Sequence, residues 1–227
     1  MCCCWFGWQA QAQDFPRYGY APEVCDSMEL KFQGIGENGF VSAYICLDPA
    51  LDPAVARLKG HQIVGVRCLM SHEYDQRRQK RSLIQCAEGS VEAEPVQKVC
   101  KFVEGWNNVY FDEPITIGDQ PLYVGLQVFE TLGSGYPIAA YDAVNVAGGC
   151  WFNLQDQGWK SYDDRGTLMI SAILDDEAAE LLDLRYPAQP LWHASRAAAS
   201  TSDGLGQYGT PGRGTVCSLG ETLIPVI

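Results

Sequence analysis

Basic residues and histidines are scarce in this sequence, and their scarcity excludes several functions. Lysine and arginine together number 16 against 28 aspartates and glutamates, so the formal net charge is −12. The isoelectric point is about 4.6. Non-specific nucleic-acid binding needs a basic surface that displaces counterions from phosphates, and docking on an anionic membrane needs positive charge as well. We therefore predict no nucleic-acid partner, and we interpret the acidic surface mainly as a source of solubility.

The motifs of common enzyme classes are also missing. The chain has no Gly-x-Ser-x-Gly, no His-Glu-x-x-His and no phosphate-binding loop. A cysteine nucleophile needs a histidine base, but His61 opens a predicted strand and His193 lies in the C-terminal tail. Pairing Cys150 with His72, or Cys86 with His61, has no local signature. A hydrolase with two carboxylates is an open alternative, although no acidic residue stands out from turn and surface positions.

Metal-binding patterns are weak. No Cys-x-x-Cys pair is present, which argues against zinc and thioredoxin-like sites. The polar stretch with His72, Glu73 and Asp75 is interpreted as a solvated hairpin loop. A structural calcium ion near Glu37-Asn38 or Asp163-Asp164 is a minor alternative, because neither loop has the ordered oxygen spacing of a calcium site. We therefore predict no cofactor.

Long apolar runs are absent, and this bears on membrane insertion and export. No stretch approaches the ~18 apolar residues of a membrane span, so none is expected in the mature chain. Met1–Trp8 is apolar and uncharged, and Ala10-Gln11-Ala12 is the small-x-small pattern at which signal peptidases cut. A basic n-region is missing, so residues 1–12 are either the remnant of an export signal or a hydrophobic N-terminus. We favour the remnant, which predicts an exported protein in the periplasm, at the cell surface or secreted.

Cysteine, by contrast, is abundant at ten residues. The six cysteines of the predicted folded part allow about fifteen disulfide connectivities, and their spacing does not choose among them. Most of them lie inside predicted strands, where a thiol also works as a small buried apolar group. Disulfides and buried free thiols therefore both stay open. The cysteines in the predicted folded part are Cys25, Cys46, Cys68, Cys86, Cys100 and Cys150.

The clearest structural signal is a perfect alternation near the middle of the chain. Leu122, Val124, Leu126 and Val128 alternate with Tyr123, Gly125, Gln127 and Phe129. Period two predicts a strand with one face buried. A second strand, Trp106–Phe111, precedes it and is expected to end at Pro114. Trp106 is assigned to the edge of the core.

Similar short strands are predicted along most of the chain. About nine or ten strands, with one brief helical turn at Ala54–Leu58, predict an all-β fold, an antiparallel β-sandwich of the jelly-roll type over residues 13–175. The composition of Asp175–Leu184 predicts a short helix. The rest of residues 176–227 is rich in small residues and is expected to be poorly structured. Two further apolar faces are Val41, Ala43, Ile45 and Leu47, and Leu168, Ile170, Ala172 and Leu174.

Three blocks of sequence carry a family resemblance. The blocks are Leu58–Arg67; Gly105–Val109 continuing through Pro114 to Leu122–Gly125; and Tyr136–Ile138 with Asp142, Trp159 and Leu168–Ile173. Together they resemble a galactose-binding-like, jelly-roll accessory domain of secreted and surface proteins from Gram-negative anaerobic bacteria. The resemblance covers about residues 20–175. It implies a sandwich that accompanies peptidase, repeat or adhesive modules, and it includes no catalytic signature.

Aromatic residues near the predicted strand ends form the candidate binding site. Exposed rings stack on sugar faces and anchor protein partners, although aromatic residues of a sandwich often belong to its core. The candidates are Trp151, Trp159, Tyr136 and Tyr141, with Asp142, Asn153 and Gln155 as hydrogen-bonding neighbours. The sequence thus predicts a non-catalytic, exported accessory or adhesion-type domain that binds a glycan or a protein. A secreted hydrolase of glycosides or peptides and a structural spacer are the alternatives.

Overall fold

A computed structural model describes residues 15–22, 27–71, 82–132, 136–179 and 181 of the 227-residue chain. Over these residues the protein is mostly β, with two antiparallel sheets packed as a sandwich, so the predicted fold class is confirmed. The predicted helical turn is a short helix, α1, at Pro53–Arg57. Within the described ranges, no helix has the length and apolar character needed to cross a bilayer.

One sheet has six strands, and every neighbouring pair is antiparallel. The four middle strands each pair with a neighbour on both sides. In spatial order the strands are β11 (Trp159–Ser161), β10 (Trp151–Leu154), β3 (Gly39–Leu47), β8 (Leu122–Glu130), β5 (Ser82–Glu88) and β6 (Val96–Cys100).

The other sheet has seven strands. They are β1 (Arg17–Gly19), β2 (Leu30–Gln33), β4 (Gln62–Met70), β7 (Gly105–Thr116), β9 (Ile138–Tyr141), β12 (Thr167–Leu168) and β13 (Ile170–Leu174). In this sheet β4 pairs with β13 and with β7, while β9 pairs with β2 and β12. Within the described ranges, 3-10 turns lie at Ser27–Glu29, Asp163–Arg165 and Asp176–Ala178.

The core lies between the two sheets, and the predicted apolar stripes fill it. The stripe of β8 is fully buried, as are those predicted for β3 and for β12 with β13. Burying aliphatic side chains contributes about 25 cal/mol for each Å² removed from water. These stripes are therefore the main source of the sandwich's stability, and the prediction that they face inward is confirmed.

Two details of the strand prediction were wrong. Strands β1 and β11 were not predicted, because three residues are too few to show a period. The predicted strand Thr167–Leu174 is interrupted at Met169, whose backbone bonds to Leu69 and Ala139 on different neighbouring strands. Short strands and breaks of this kind are set by their neighbours, not by the local pattern.

Pro114 does not end the strand in which it lies. Strand β7 continues to Thr116, and its pairing with β4 shifts register between Ile63 and Gly65. Pro114 falls in the irregular part of that ladder, and β7 pairs with β4 alone. A missing N–H is tolerated at a bulge on an edge strand, so the proline costs the sheet little.

Five cysteines in the described residues are free thiols: Cys46, Cys68, Cys86, Cys100 and Cys150. Of the two alternatives, free thiols therefore hold for these five, of which four are buried and Cys100 is partly buried. Burial raises the pKa of Cys86 and of Cys150 to about 12. Several predictions fall outside the described residues: the signal remnant at 1–12, Cys25, the loop with His72, Glu73 and Asp75, His193, and the tail from residue 182.

Candidate functional site

The outer face of the six-stranded sheet is the surface that points away from the core. Its residues alternate with the buried stripes and share a side through the pairing register. They are Phe40, Ser42, Tyr44 and Cys46 on β3; Tyr123, Gly125, Gln127 and Phe129 on β8; Leu83, Gln85 and Ala87 on β5; Gln97 and Val99 on β6; Trp151 and Asn153 on β10; and Trp159 and Ser161 on β11.

No residue in this set is charged. The composition is unusual for the chain, in which 19% of residues are charged. The outer face of an antiparallel sheet is normally its polar, solvated side. Here it carries aromatic rings, amides and hydroxyls instead. Tyr123, Gln127, Trp151 and Trp159 on this face are partly exposed, whereas Ser42, Tyr44, Cys46, Leu83, Gln85 and Ala87 are buried.

Four aromatic rings on this face form a continuous array. The ring of Trp159 stacks on Tyr44, with centroids 4.2 Å apart and planes inclined by 16°. Trp151 meets Tyr123 edge to face at 5.8 Å, and Tyr44 lies 6.4 Å from Tyr123. These distances fall in the range of favourable ring pairs. The rings therefore cover the sheet from β11 to β8.

Gly125 lets the Tyr44 ring lie close to the sheet. The two residues are paired directly across β3 and β8. A Cβ atom on Gly125 would lie 1.9 Å from the Ala43 carbonyl oxygen and 2.9 Å from Cδ1 of Tyr44. Only glycine fits there without displacing the ring or the strand.

Hydrogen bonds fix the polar side chains between and beside the rings. The hydroxyl of Tyr44 donates to Oε1 of Gln85 at 3.0 Å, and burial raises the pKa of Tyr44, so this hydroxyl stays protonated. Nε2 of Gln127 donates to Oγ of Ser42 at 2.9 Å. These bonds use one end of each amide. They leave the Gln85 amide group as a donor and the Gln127 carbonyl as an acceptor.

The structure separates the predicted site residues into different surfaces. Trp151, Trp159 and Asn153 come together on the outer face of the six-stranded sheet. Tyr136 is half exposed and lies beside Gly36, in the loop before β3 and not on a strand of that face. Of the predicted candidates, the structure therefore brings Trp151 and Trp159 together on one face, and it does not place Tyr136 on the strands of that face.

Tyr141 and Asp142 lie on the other sheet and leave the candidate set. Tyr141 is only 1% exposed, packed in a second apolar cluster with Leu69 and Met169. Its hydroxyl donates to Glu29 at 3.1 Å, so its ring offers no surface for stacking. Asp142 is partly exposed and forms an ion pair with Lys31.

Four residues of the outer face were not singled out from the sequence: Tyr44, Tyr123, Gln85 and Gln127. The signal was present in part, since Tyr123 and Gln127 alternate with the buried stripe of β8. Their grouping depends on the spatial order of β10, β3, β8 and β5, which the one-dimensional pattern does not specify.

One pocket, lined by described residues of both sheets, has no pair of carboxylates in its lining. Its empty volume is about 330 Å³ including the open mouth. The lining consists of Gln33, Gly34, Cys150, Phe152, Leu154, Tyr162 and Arg165. No Asp or Glu is part of that lining, whereas glycoside hydrolysis uses two facing carboxylates.

Glu130 is a buried carboxyl that the sequence did not single out. It ends the core-facing row of β8, and its Oε2 accepts the backbone N–H groups of Ile35 and Gly36 at 2.9 and 2.8 Å. Its Oε1 is buried without a partner. Burial raises the pKa of Glu130 to about 7, and the two N–H groups oppose that shift. A raised pKa is typical of general acids, but this carboxyl is enclosed beneath the loop.

The acidic loops considered for calcium use their oxygens inside the protein. Asp163 accepts the N–H groups of Gly148 and Cys150 through its two carboxylate oxygens, at 3.0 and 3.1 Å. Asn38 accepts the N–H of Leu132 at 3.0 Å. Over the described part of the chain, no group of three metal-ligating side chains is found.

Comparison with protein-family models, with curated proteins and with solved structures finds no match for this chain. The resemblance to galactose-binding-like accessory domains therefore stays a hypothesis. Its coarser part, two antiparallel sheets in a sandwich, is what the structure shows.

Proposed function

We propose that this protein is a non-catalytic binding domain that holds an uncharged glycan on the outer face of the six-stranded sheet. The observation that carries the proposal is the charge-free array of rings and amides on that face. Aromatic rings supply large, rigid apolar area for the faces of sugar rings. Amide groups pair with hydroxyls in fixed directions. A neutral ligand also requires no ion to be stripped of water.

A glycan suits this face better than a protein partner does. Protein interfaces usually have an apolar centre and a polar rim. Here Gln85 and Gln127 lie beside the rings, and each has hydrogen-bonding capacity left after its internal bond. Mixed stacking and hydrogen bonding over one small area is what a hydroxylated ring needs.

We further infer that the domain acts as an exported accessory or adhesion-type module. The apolar start of the chain with Ala10-Gln11-Ala12 and the acidic composition support this inference. A secreted hydrolase is the alternative, and a structural spacer is the third hypothesis. Both differ from the lead proposal in a measurable way.

The test is titration calorimetry of the full chain with neutral and acidic oligosaccharides. Cellohexaose, xylohexaose and mannohexaose serve as neutral probes, and an oligogalacturonate is the acidic probe. We expect at least one neutral probe to bind and the acidic one not to bind. Trp159→Ala should weaken that binding roughly tenfold or more, because about 1.4 kcal/mol of stacking corresponds to a factor of ten.

Tyr136→Ala is the matched control, since Tyr136 is an exposed aromatic residue away from the outer face. It should leave the affinity unchanged. Failure of every neutral probe to bind, or equal losses in the two variants, would contradict the proposal. Release of shorter sugars by the unmodified protein would instead favour the hydrolase.

A further inference from the structure

Two polar atoms beneath the aromatic array have no hydrogen-bond partner. They are the indole Nε1 of Trp151 and Oδ1 of Asn153, and both are buried. The two residues lie two positions apart on β10 and point to the same outer face. Buried donors and acceptors in folded proteins are nearly always paired, and an unpaired one lowers stability. A donor and an acceptor left unpaired side by side at a candidate site therefore require an explanation.

The ring of Trp159 extends across the strand that carries these atoms. Trp159 is paired in register with Asn153 across β11 and β10. Its ring nevertheless stacks on Tyr44 of β3, one strand beyond β10. Since Tyr44 is itself paired with Trp151, the Trp159 ring crosses β10 between positions 153 and 151. The two residues that carry the unpaired atoms flank that crossing on β10.

Trp159 lies on β11, a short strand at the edge of the sheet that is easy to displace. Strand β11 has three residues and pairs only with β10 at the edge of the sheet. The turn before it contains three residues with positive φ, Gln155, Asp156 and Gly158. Short edge strands open at lower free energy than interior strands. Displacement of β11 would therefore move the Trp159 ring and leave the core stripes in place.

We propose that Trp159 is a movable cover over a hidden hydrogen-bonding pair, and that Trp151 and Asn153 bind hydroxyl groups of the glycan when the cover lifts from Tyr44. This inference rests on the proposed function and deepens it. A sugar ring inserted between Trp159 and Tyr44 stacks on both aromatic faces. Its hydroxyls then point to β10.

Hydroxyls fit this pair because each one both donates and accepts. One hydroxyl accepts from the Trp151 indole N–H, and another donates to Oδ1 of Asn153. The two side chains are separated by about 7 Å along the strand, which matches hydroxyls at opposite ends of one sugar unit. An anionic group would find a donor at Trp151 but would face the oxygen of Asn153. The pair therefore selects neutral, hydroxylated ligands.

The decisive variant is Asn153→Leu, which keeps the volume and removes the unpaired oxygen. In the ligand-free protein we expect the melting temperature to rise by about 2–4 °C, because an unsatisfied buried acceptor has been removed. With the neutral probe that binds best, we expect the affinity to fall tenfold or more. A residue with only a structural role would not show a gain in stability together with a loss of binding.

Asn107→Leu is the matched control. Asn107 is also buried, but its side chain makes hydrogen bonds at 2.8 Å to both backbone groups of Val103 and to the carbonyl of Gly105. Its replacement should lower the melting temperature. The opposite signs of the two asparagine variants separate an unpaired amide from a paired one.

A double variant tests the cover itself. In the Trp159→Ala background, water reaches Oδ1 of Asn153, so adding Asn153→Leu should no longer raise the melting temperature. If the rise persists at full size, Trp159 does not cover the pair and the inference is overturned.

The outcomes also separate this inference from the proposed function. If the protein binds a neutral probe and Trp159→Ala weakens that binding while Asn153→Leu does not, the hidden pair is refuted and the binding face stands. If Asn153→Leu lowers the melting temperature, its oxygen is paired and the inference fails. If no neutral probe binds, the proposed function fails and the ligand role of the pair fails with it.

Discussion

The outer faces of the two sheets differ in whether they contain a charged residue. On the seven-stranded sheet, the chain covers its own outer face with a second apolar cluster built on Leu69, Ala139, Tyr141 and Met169. That face also contains Arg67, which is only 3% exposed. Among the described residues no separate apolar cluster lies on the outer face of the six-stranded sheet. The strand residues of that face carry no charge, and Tyr44, Leu83 and Ala87 there are buried. The seven-stranded sheet thus buries a charged residue, Arg67, among partners from the chain itself. The face on which we place the ligand has no charged strand residue.

Arg67 shows how the covered face accommodates a cation. Its guanidinium lies 4.3 Å from the centroid of the Trp106 ring, and Nη1 donates to Oδ1 of Asn108 at 3.1 Å. Cation–π contact and charge-assisted hydrogen bonds offset the loss of hydration. Trp106 was predicted at the edge of the core, and it is a partly buried member of this second cluster.

The largest effect is expected from Arg67→Ala. The substitution removes the buried stem and leaves both Trp106 and Asn108 without their partner, so we expect a loss of about 2–4 kcal/mol in the free energy of unfolding. Urea unfolding monitored by circular dichroism measures it. Arg165→Ala is the control, because Arg165 is exposed although it lies 5.2 Å from the Tyr162 ring, and about 0.5 kcal/mol or less is expected. Similar losses in both variants would remove the distinction between the two faces.

A smaller effect is expected from Gly125→Ala on the outer face of the six-stranded sheet. The added methyl group meets the Ala43 carbonyl and the Tyr44 ring, and overpacking of this kind costs about 1–3 kcal/mol. The same variant should weaken glycan binding, because it displaces the ring array. Gly118→Ala is the control, since its nearest neighbour lies 3.7 Å away. Unchanged unfolding and binding of Gly125→Ala would show that the ring does not lie against the strand.

The last effect concerns Glu130 and appears as a dependence on pH and not as a fixed loss. Its pKa in the fold, about 7, is above the ordinary value of 4.5. The fold therefore favours the protonated carboxyl, and stability falls as pH rises from about 4.5 to about 7, with the whole loss present above pH 7. Glu130→Gln lacks this titration. The difference in unfolding free energy between Glu130→Gln and the unmodified protein should shift in favour of the variant as pH rises.

Urea unfolding at several values between pH 5 and pH 8 measures this shift. The exposed Glu92→Gln is the control, and its curve should run parallel to that of the unmodified protein. A difference between Glu130→Gln and the unmodified protein that stays constant with pH would contradict the raised pKa. This result sharpens the comparison, because Glu130 and Arg67 are the charged residues that the described part of the chain buries.

The inner faces were predictable from the sequence because burial leaves a period. Leu122, Val124, Leu126 and Val128 show it directly, and all four are fully buried. Strand β9 shows the limit of the method. All four residues from Ile138 to Tyr141 are buried, because β9 is covered on both sides. No alternation marks Tyr141 as interior, and its position near a strand end therefore led to the wrong surface.

The candidate site was only partly predictable for a different reason. Trp151 and Trp159 were found from their chemistry and local position. Their partner Tyr44 lies on β3, a strand distant in sequence. Trp159 meets Tyr44 because β11, β10 and β3 lie side by side in the sheet. Strand order is a long-range property, so a local pattern can identify which residues point outward without showing which of them meet.

Because the five described cysteines are free thiols, no disulfide exists among them that a change in redox conditions could break. Burial raises the pKa of every one of them, and the thiolate is the form that reacts. In the folded state they therefore react slowly with oxidants and with one another. No disulfide among these five residues holds the two sheets together, so packing and hydrogen bonds supply the stability that such a cross-link would add.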